Sequence, residues 1–468
     1  LRFWDIMRFR LAGAACAALV FVASALLPAT AQTFRPDVLV VGGTPAGVAA
    51  AVAAARRGDD VTLVARRNVL GGVLTDAMMD QWDLNLTASG TSVEGGIFRE
   101  IYGALGDSFT PGDAAGVFGD LVAHEPRIHV IWNAAPVGVT TAGAGTDRSV
   151  TAVAFADAVG RRTFALDAPF VVDATDDGDV AALAGARYDL GRQDTGRDDG
   201  MQAVTLMFTL QNVDWTAVAR GYRVAAYGAG GAMDRRAWGY AKLMERYRSL
   251  SPDVVVRDLN FGHEDGGSVT VNAIDVLGID ALKPADRERA RTISERETPH
   301  LLAFLRANLP GFADATIGRY ADAIYVRETR HFAGMERLTA DDVWDGKIPN
   351  DSIGLSSYPL DLHPVTAADR PAFAPVRHVY GIPFGTMVPR GFDNLILASP
   401  AISASHIASG SARVIPTTIE EGEAAGAAVA QAVAHHVTFA DIATSIAQIA
   451  ELRDNLQAHG ATEVALRR

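Results

Sequence analysis

The feature that most constrains this chain is Asp37-Val38-Leu39-Val40-Val41, a nearly continuous apolar run joined without a spacer to Gly42-Gly43-Thr44-Pro45-Ala46-Gly47. A strand apolar on both faces has to be covered on both faces, which is the environment of a parallel sheet. Residues 48–57 continue as an Ala-rich helix whose small side chains let its backbone approach the sheet; Gly58 supplies the C-cap and residues 60–64 the second strand. This is a complete βαβ start. Gly42 permits the tight strand-to-helix turn, Gly47 allows the helix to pack closely on the strand, and the helix N-terminus offers N–H groups to a pyrophosphate. Thr44 stands at the middle glycine of the G-x-G-x-x-G pattern and adds a side chain where a phosphate approaches. Val64 is followed by Ala65, Arg66 and Arg67, so the acid that usually meets the ribose hydroxyls is missing. Arg66 is a candidate for a ribose or phosphate contact, against the plain alternative of a solvated surface arginine.

Further along, residues 128–139 and 149–158 read as strands of a small β layer, and Phe170-Val171-Val172-Asp173 as a strand returning to the first sheet. Residues 188–380 alternate helical stretches, such as 285–308, with loops rich in Asp, Gly and Pro, as expected of a substrate or cap domain. Asn394-Leu395-Ile396-Leu397-Ala398 resumes the strand pattern, residues 419–435 form a second Ala-rich helix with Gly422 and Gly426 on a packing face, and a last helix is expected near 442–458. The fold class expected is α/β: a discontinuous Rossmann-like nucleotide domain (residues 32–187 and 385–438), an inserted α+β substrate or cap domain (188–384) and a C-terminal helix (439–468). The glycines of Gly228-Ala229-Gly230-Gly231 lack a convincing strand and helix around them, which argues against a second dinucleotide domain.

Met7-Arg8-Phe9-Arg10 is a short basic start, residues 11–27 are apolar or small, and Ala29-Thr30-Ala31 supplies the small residues a signal peptidase needs. This predicts a secretory signal cut after Ala31 and a periplasmic or secreted mature protein, with membrane contact only through the signal; the competing reading is an uncleaved anchor. The single cysteine, Cys16, lies inside that signal, so the mature chain has no disulfide, thiolate metal cluster or redox-active Cys pair. The 42 basic residues face 55 acidic ones, with no long Lys/Arg run, so nucleic acid is not an expected partner. No metal-ligand spacing stands out.

Several segments then match one family in order: Val40 to Gly47; Leu70-Gly71-Gly72; Gly95-Gly96-Ile97-Phe98; Ala174-Thr175-Asp176 after the returning strand; Arg327-Glu328-Thr329-Arg330; and Ile402-Ser403-Ala404-Ser405-His406 through Gly410-Ser411-Ala412-Arg413-Val414-Ile415-Pro416-Thr417. Together they resemble the FAD-dependent oxidoreductases of the glutathione-reductase type. The resemblance implies an FAD/NAD(P)-binding Rossmann-like domain, with FAD held by Gly42, Gly43, Thr44, Pro45, Ala46, Gly47, Arg66, Gly71, Gly72, Ala174, Thr175, Gly410, Ser411, Val414, Ile415, Pro416 and Thr417. It also implies that the C-terminal block turns a helix N-terminus toward the flavin, where the dipole favours negative charge on the reduced ring. Asp176 departs from the family's Ala-Thr-Gly, and Ser399-Pro400 from a common Gly-Arg pair.

Such a protein moves a hydride from a small organic substrate to flavin N5 and, lacking a cysteine pair and a nicotinamide domain, is reoxidised by an external acceptor such as oxygen, a quinone or a carrier. His406 is the first candidate for proton transfer, Arg413 for binding an anionic substrate or the flavin carbonyl edge, and Arg330, with Arg327 and His331, for a second polar cluster. Each also has a structural reading as a packed histidine, a salt-bridged arginine and a surface ion-pair network. Two other functions stay open at this point: a non-catalytic exported flavin- or nucleotide-binding protein, and an NAD-dependent Rossmann dehydrogenase.

Overall fold

The computed structural model describes residues 36–145, 147–157, 160–264, 266–376 and 378–461. The expected secretory leader, the expected cleavage after Ala31, and Cys16 lie outside these residues. At the centre is a five-stranded, all-parallel sheet of β1 (Val38–Val41), β2 (Val61–Val64), β3 (Ile128–Ile131), β4 (Phe170–Asp173) and β5 (Leu395–Leu397), in the order β5-β4-β1-β2-β3. Val41 pairs with Val64 on one side and Asp173 on the other, so all three strand ends and the turn after β1 open at one edge of the sheet. Strand β5 joins 222 positions after the end of β4, and its Leu397 lies beside Asp173.

Helix α1 (Pro45–Arg56) buries every residue except Arg56. Its Ala-rich surface serves two contacts, one with the sheet and one with the late helix Ile415–His435. Gly422 and Gly426 of that later helix make the second contact close: a Cβ on Gly422 would fall 2.1 Å from the Ala46 carbonyl oxygen, and one on Gly426 2.3 Å from that of Ala50. The two helices therefore lie backbone against backbone, and the chain's C-terminal part locks the helix that opens the fold.

Between β4 and β5 the largest unit is a six-stranded antiparallel sheet, in the order 231–232, 236–239, 259–264, 268–272, 208–211, 316–320, beside α2 (Pro284–Asn308). Residues 188–380 are thus richer in strand than the sequence suggested, because these strands are two to six residues long and carry Gly231, Gly239, Gly262 and Gly318. Residues 228–231 link the short helix Val224–Tyr227 to the strand Gly231–Ala232. Two expected elements also divide. The run 128–139 breaks at Asn133, whose φ of 59° is left-handed, so that β3 stays in the parallel sheet and Ala134–Ala144 starts an antiparallel meander with Asp147–Asp157 and Thr163–Leu166. The last helix divides at Ser445, which caps Ile446–Ala458 after Phe439–Thr444. No helix among the described residues is long and apolar enough to cross a membrane.

Candidate functional site

The turn Gly42–Gly47 stands at the carboxyl edge of the parallel sheet, where open α/β sheets bind their ligands. Its glycines are required by contact. A Cβ on Gly42, at φ +127°, would meet the Ala174 carbonyl oxygen at 2.2 Å, and one on Gly47 the Gly42 carbonyl oxygen at 1.9 Å. Thr44 does not obstruct the turn: its Oγ1 accepts the Gly47 N–H at 3.0 Å and donates to the Ala174 carbonyl at 2.9 Å, capping α1 and tying it to the end of β4. Thr44-Pro45 is an N-cap followed by a first-turn proline, a signal present in the sequence but read there only as bulk near a phosphate.

A groove runs from this turn into the space between the sheet edge and the 321–330 segment. It consists of two adjoining cavities of about 110 and 260 Å³, both lined by Thr44, Arg66, Arg67, Gly72, Asp76 and Asp176. The smaller, outer part adds Gly42, Gly43 and Thr175, while the larger, inner part adds Pro45, Ala46, Tyr325, Arg327, Glu328, Arg330, Ser399, Arg413 and Ile415. Two helices begin at this groove: α1, and α4 (Ile415–His435), named after the short α3 (His406–Ala412) that precedes it. Their first turns carry N–H groups without intrahelical acceptors, suited to phosphate and to a negatively charged ring edge.

The acidic turn after β4 is arranged so that most of its charge is met. Buried Asp173 turns inward to accept from Thr175 and from the Ala181 N–H. Asp177 accepts from Thr329 and pairs with Arg287 at 2.8 Å; Asp179 pairs with Arg330 at 3.1 Å and Arg66 at 3.4 Å. Asp176 remains exposed in the groove. Ala65 is fully buried against Gly43, and it is Arg66, largely exposed, that faces the outer groove.

Deeper in, a buried ionic network backs the inner chamber. Arg413 donates to the Tyr325 hydroxyl oxygen at 2.8 Å and to Asp361 at 3.2 Å; Asp361 also holds Arg257 at 2.9 Å and His363 Nε2 at 3.2 Å. The other ring nitrogen of His363 meets Asp275 at 2.6 Å, and Asp275 lies 3.4 Å from Arg327, whose guanidinium stacks over Tyr325. Burial alone would raise both aspartates, but the surrounding cations override it: Asp275 is held at about 2 and Asp361 well below the usual carboxylate range. Arg413 is itself driven further up by Tyr325 and Asp361 against the cost of its burial.

A second network centres on Glu328, one of whose oxygens faces His331 Nε2 at 2.8 Å and His406 Nδ1 at 2.7 Å. Its other oxygen accepts the Gln202 N–H at 3.0 Å. Burial opposes the charge, yet the two histidine hydrogen bonds hold the carboxyl down at about 2.

The structure thus brings Gly42, Gly43, Thr44, Pro45, Ala46, Arg66, Gly72, Thr175, Ile415, Arg330 and Arg413 to one groove. His406 is not on its wall but one residue behind it, on Glu328. Gly47, Gly71 and Ala174 shape the turn from beneath: the Gly71 N–H donates to the Gly43 carbonyl at 2.8 Å. Gly410 packs on Leu362, Ser411 bonds the Tyr380 hydroxyl at 2.7 Å, and Thr417 accepts from Asn85 at 3.1 Å, so these three, with Val414 and Pro416, support the first turn of α4 rather than line the groove. Arg327 and His331 are buried rather than part of a surface network. Tyr325, Arg287, Asp361 and His363 were not singled out from the sequence; only Tyr325, two positions before the Arg327 motif, stood near a signal. Among the described residues no three His, Cys, Asp or Glu side chains converge on a metal position.

A profile described as FAD dependent oxidoreductase matches residues 37–456. The chain belongs to this family. Its cofactor is FAD, and the family is one of enzymes. No curated protein matches the sequence. Among solved structures the chain is similar to a geranylgeranyl bacteriochlorophyll reductase-like protein from Thermoplasma acidophilum (12% identity, covering 91% of this chain and 84% of the other, TM-score 0.41). It is also similar to a flavoprotein/dehydrogenase from Cytophaga hutchinsonii (12%, 85% and 79%, TM-score 0.43). The residues present fit FAD: the turn admits no Cβ at Gly42 or Gly47, the Thr44 hydroxyl is held against backbone, and a helix N-terminus stands at each part of the groove.

Proposed function

We propose that this member of the family is an exported enzyme of the glutathione-reductase type that oxidises a small organic substrate by hydride transfer to flavin N5 and is reoxidised by an external acceptor, whether oxygen, a quinone or a small carrier. The observation that carries this reading is the continuity of the groove from the α1 N-terminus to a chamber lined by Tyr325, Arg327, Glu328 and Arg413. Bound FAD supplies the two-electron acceptor; the chain positions the reactants and tunes their charge. Gly42, Gly43 and the first turn of α1 would hold the pyrophosphate, with Arg66 beside it. The first turn of α4 would favour negative charge at the ring.

At the inner end, the Tyr325 oxygen accepts from Arg413, while its own O–H has no acceptor among the described residues and would orient a substrate oxygen by a hydrogen bond. The proton that the substrate loses along with its hydride would pass to solvent through the groove. Glu328 is kept ionised on the chamber wall, and His331 and His406 act on the substrate only through it. The substrate enters between the nucleotide domain and the residues of the 188–384 insertion, where Arg67–Asp322 and Arg287–Asp177 tie the two sides together.

Anaerobic mixing with alcohols, amines and hydroxy acids, followed at the flavin band, tests the reaction. A substrate that bleaches the flavin, and does so more slowly when deuterated at the carbon that loses hydride, supports it; bleaching with no isotope effect under single-turnover conditions contradicts hydride transfer. For export, N-terminal sequencing of the processed protein should begin at Gln32, and an unprocessed start would overturn the cleavage assignment.

A further inference from the structure

The lobe of residues 220–250, which forms the outer end of the six-stranded antiparallel sheet and its connecting helices, has a charge balance opposite to that of the rest of the chain. It holds seven basic residues against two acidic ones, in a protein with 42 basic and 55 acidic residues. Elsewhere many arginines are met by carboxylates, as Arg56, Arg127, Arg192 and Arg257 are, and those that are not, such as Arg306 and Arg390, lie singly. Here Arg220, Arg223, Arg236, Lys242, Arg246 and Arg248 form no ion pair among the described residues. Arg223, Arg248 and Lys242 donate instead to backbone carbonyls, Arg246 to the Asn308 side chain at 2.7 Å, and Arg236 lies over Trp238.

The same lobe exposes large apolar side chains: Val224 is 63%, Leu250 60% and Met233 48% accessible. It is nonetheless well built, since the rings of Tyr222, Tyr227 and Tyr240 pack together at 5.0–5.6 Å and Tyr240 rests on Phe261. Unneutralised cations beside exposed apolar side chains on a firm base are what an anionic lipid interface selects for: headgroups meet the Arg and Lys, and the acyl boundary receives the apolar groups. A soluble polyanion would use the cations and leave Val224 and Leu250 in water.

We propose that the 220–250 lobe is a docking surface for an anionic phospholipid bilayer, a membrane contact separate from the N-terminal leader. It does not depend on the hydride-transfer reading, because the lobe is built from residues outside the groove lining.

The test is co-sedimentation of the flavin-loaded chain beginning at Gln32, which lacks the apolar leader and contains every described residue. Vesicles of phosphatidylcholine with phosphatidylglycerol are compared with phosphatidylcholine alone, at low and high salt. The expected result is binding to the anionic vesicles that salt abolishes, weakened about 30-fold in Arg223→Gln/Arg246→Gln and about 10-fold in Val224→Ser/Leu250→Ser. Unchanged flavin content and thermal midpoint in both exposed-site variants establish that they fold. Equal binding to phosphatidylcholine alone, absence of binding to anionic vesicles, or variants that bind like the parent would each overturn the proposal. Capture by polyglutamate or DNA without vesicle binding would overturn it in favour of a soluble polyanion.

Discussion

The outer and inner parts of the groove are built by opposite means. The outer part is centred on backbone, a glycine turn and a helix N-terminus fixed by the Thr44 hydroxyl within residues 42–47, with Arg66, Arg67 and Asp176 around it. The inner part is walled by side chains of Tyr325, Arg327, Glu328, Arg330 and Arg413, held from behind by buried ion pairs to residues 257, 275, 331, 361, 363 and 406. Geometry that recognises a phosphate needs particular residues in consecutive positions, and a pattern results. A charge network needs only that its members meet in space, and its residues can come from anywhere in the chain.

Breaking the inner network should have the largest effect. Asp361→Asn removes the anion shared by Arg257, His363 and Arg413, leaving buried cations uncompensated, and should cost about 3–5 kcal/mol in a urea titration. The outer groove should survive, so any folded fraction should still bind FAD. A variant as stable as the parent would show that the network is not held by charge.

Acid provides a graded version of the same test. Glu328 titrates at about 2 in the folded chain against an ordinary 4.5, so its contribution is complete above the ordinary value and is lost as pH falls toward about 2. Glu328→Gln should therefore show a flatter loss of stability with falling pH than the parent, and parallel curves would contradict the assignment.

On the outer side, Gly47→Ala places a Cβ against the Gly42 carbonyl oxygen and should cost about 1–3 kcal/mol, with flavin content falling more than stability does. If flavin content holds while stability drops, the turn is structural only. Thr44→Ala, which removes the cap on α1, should cost about 1 kcal/mol and leave the FAD stoichiometry intact, whereas a Thr44→Gly variant should lose only a few tenths if capping is the whole role.

The same contrast explains what was legible in the sequence. The β1 run, the Ala-rich α1, the return through Phe170 to Asp173 and the Gly422/Gly426 face could be read because local apolarity and small residues dictate them. The six-stranded antiparallel sheet could not, since its strands are short and glycine-broken and one of its pairings, Phe208 with Tyr320, spans more than 100 positions. In the site, Arg413 and Arg330 were reached through the motifs that carry them, whereas Asp275, Arg257, Asp361 and His363 lie in no motif. His406 belongs to a recognisable block, but only the fold shows that Glu328 stands between it and the groove.

The turn at Gly42–Gly47 and the chamber at Tyr325 and Arg413 are read as two ends of one FAD site. The most direct measurement is the visible absorption spectrum of the purified protein before and after denaturation, with the released cofactor identified by mass. A flavin band and released FAD are expected; a colourless protein that takes up no added FAD would show that the two ends do not form an FAD site.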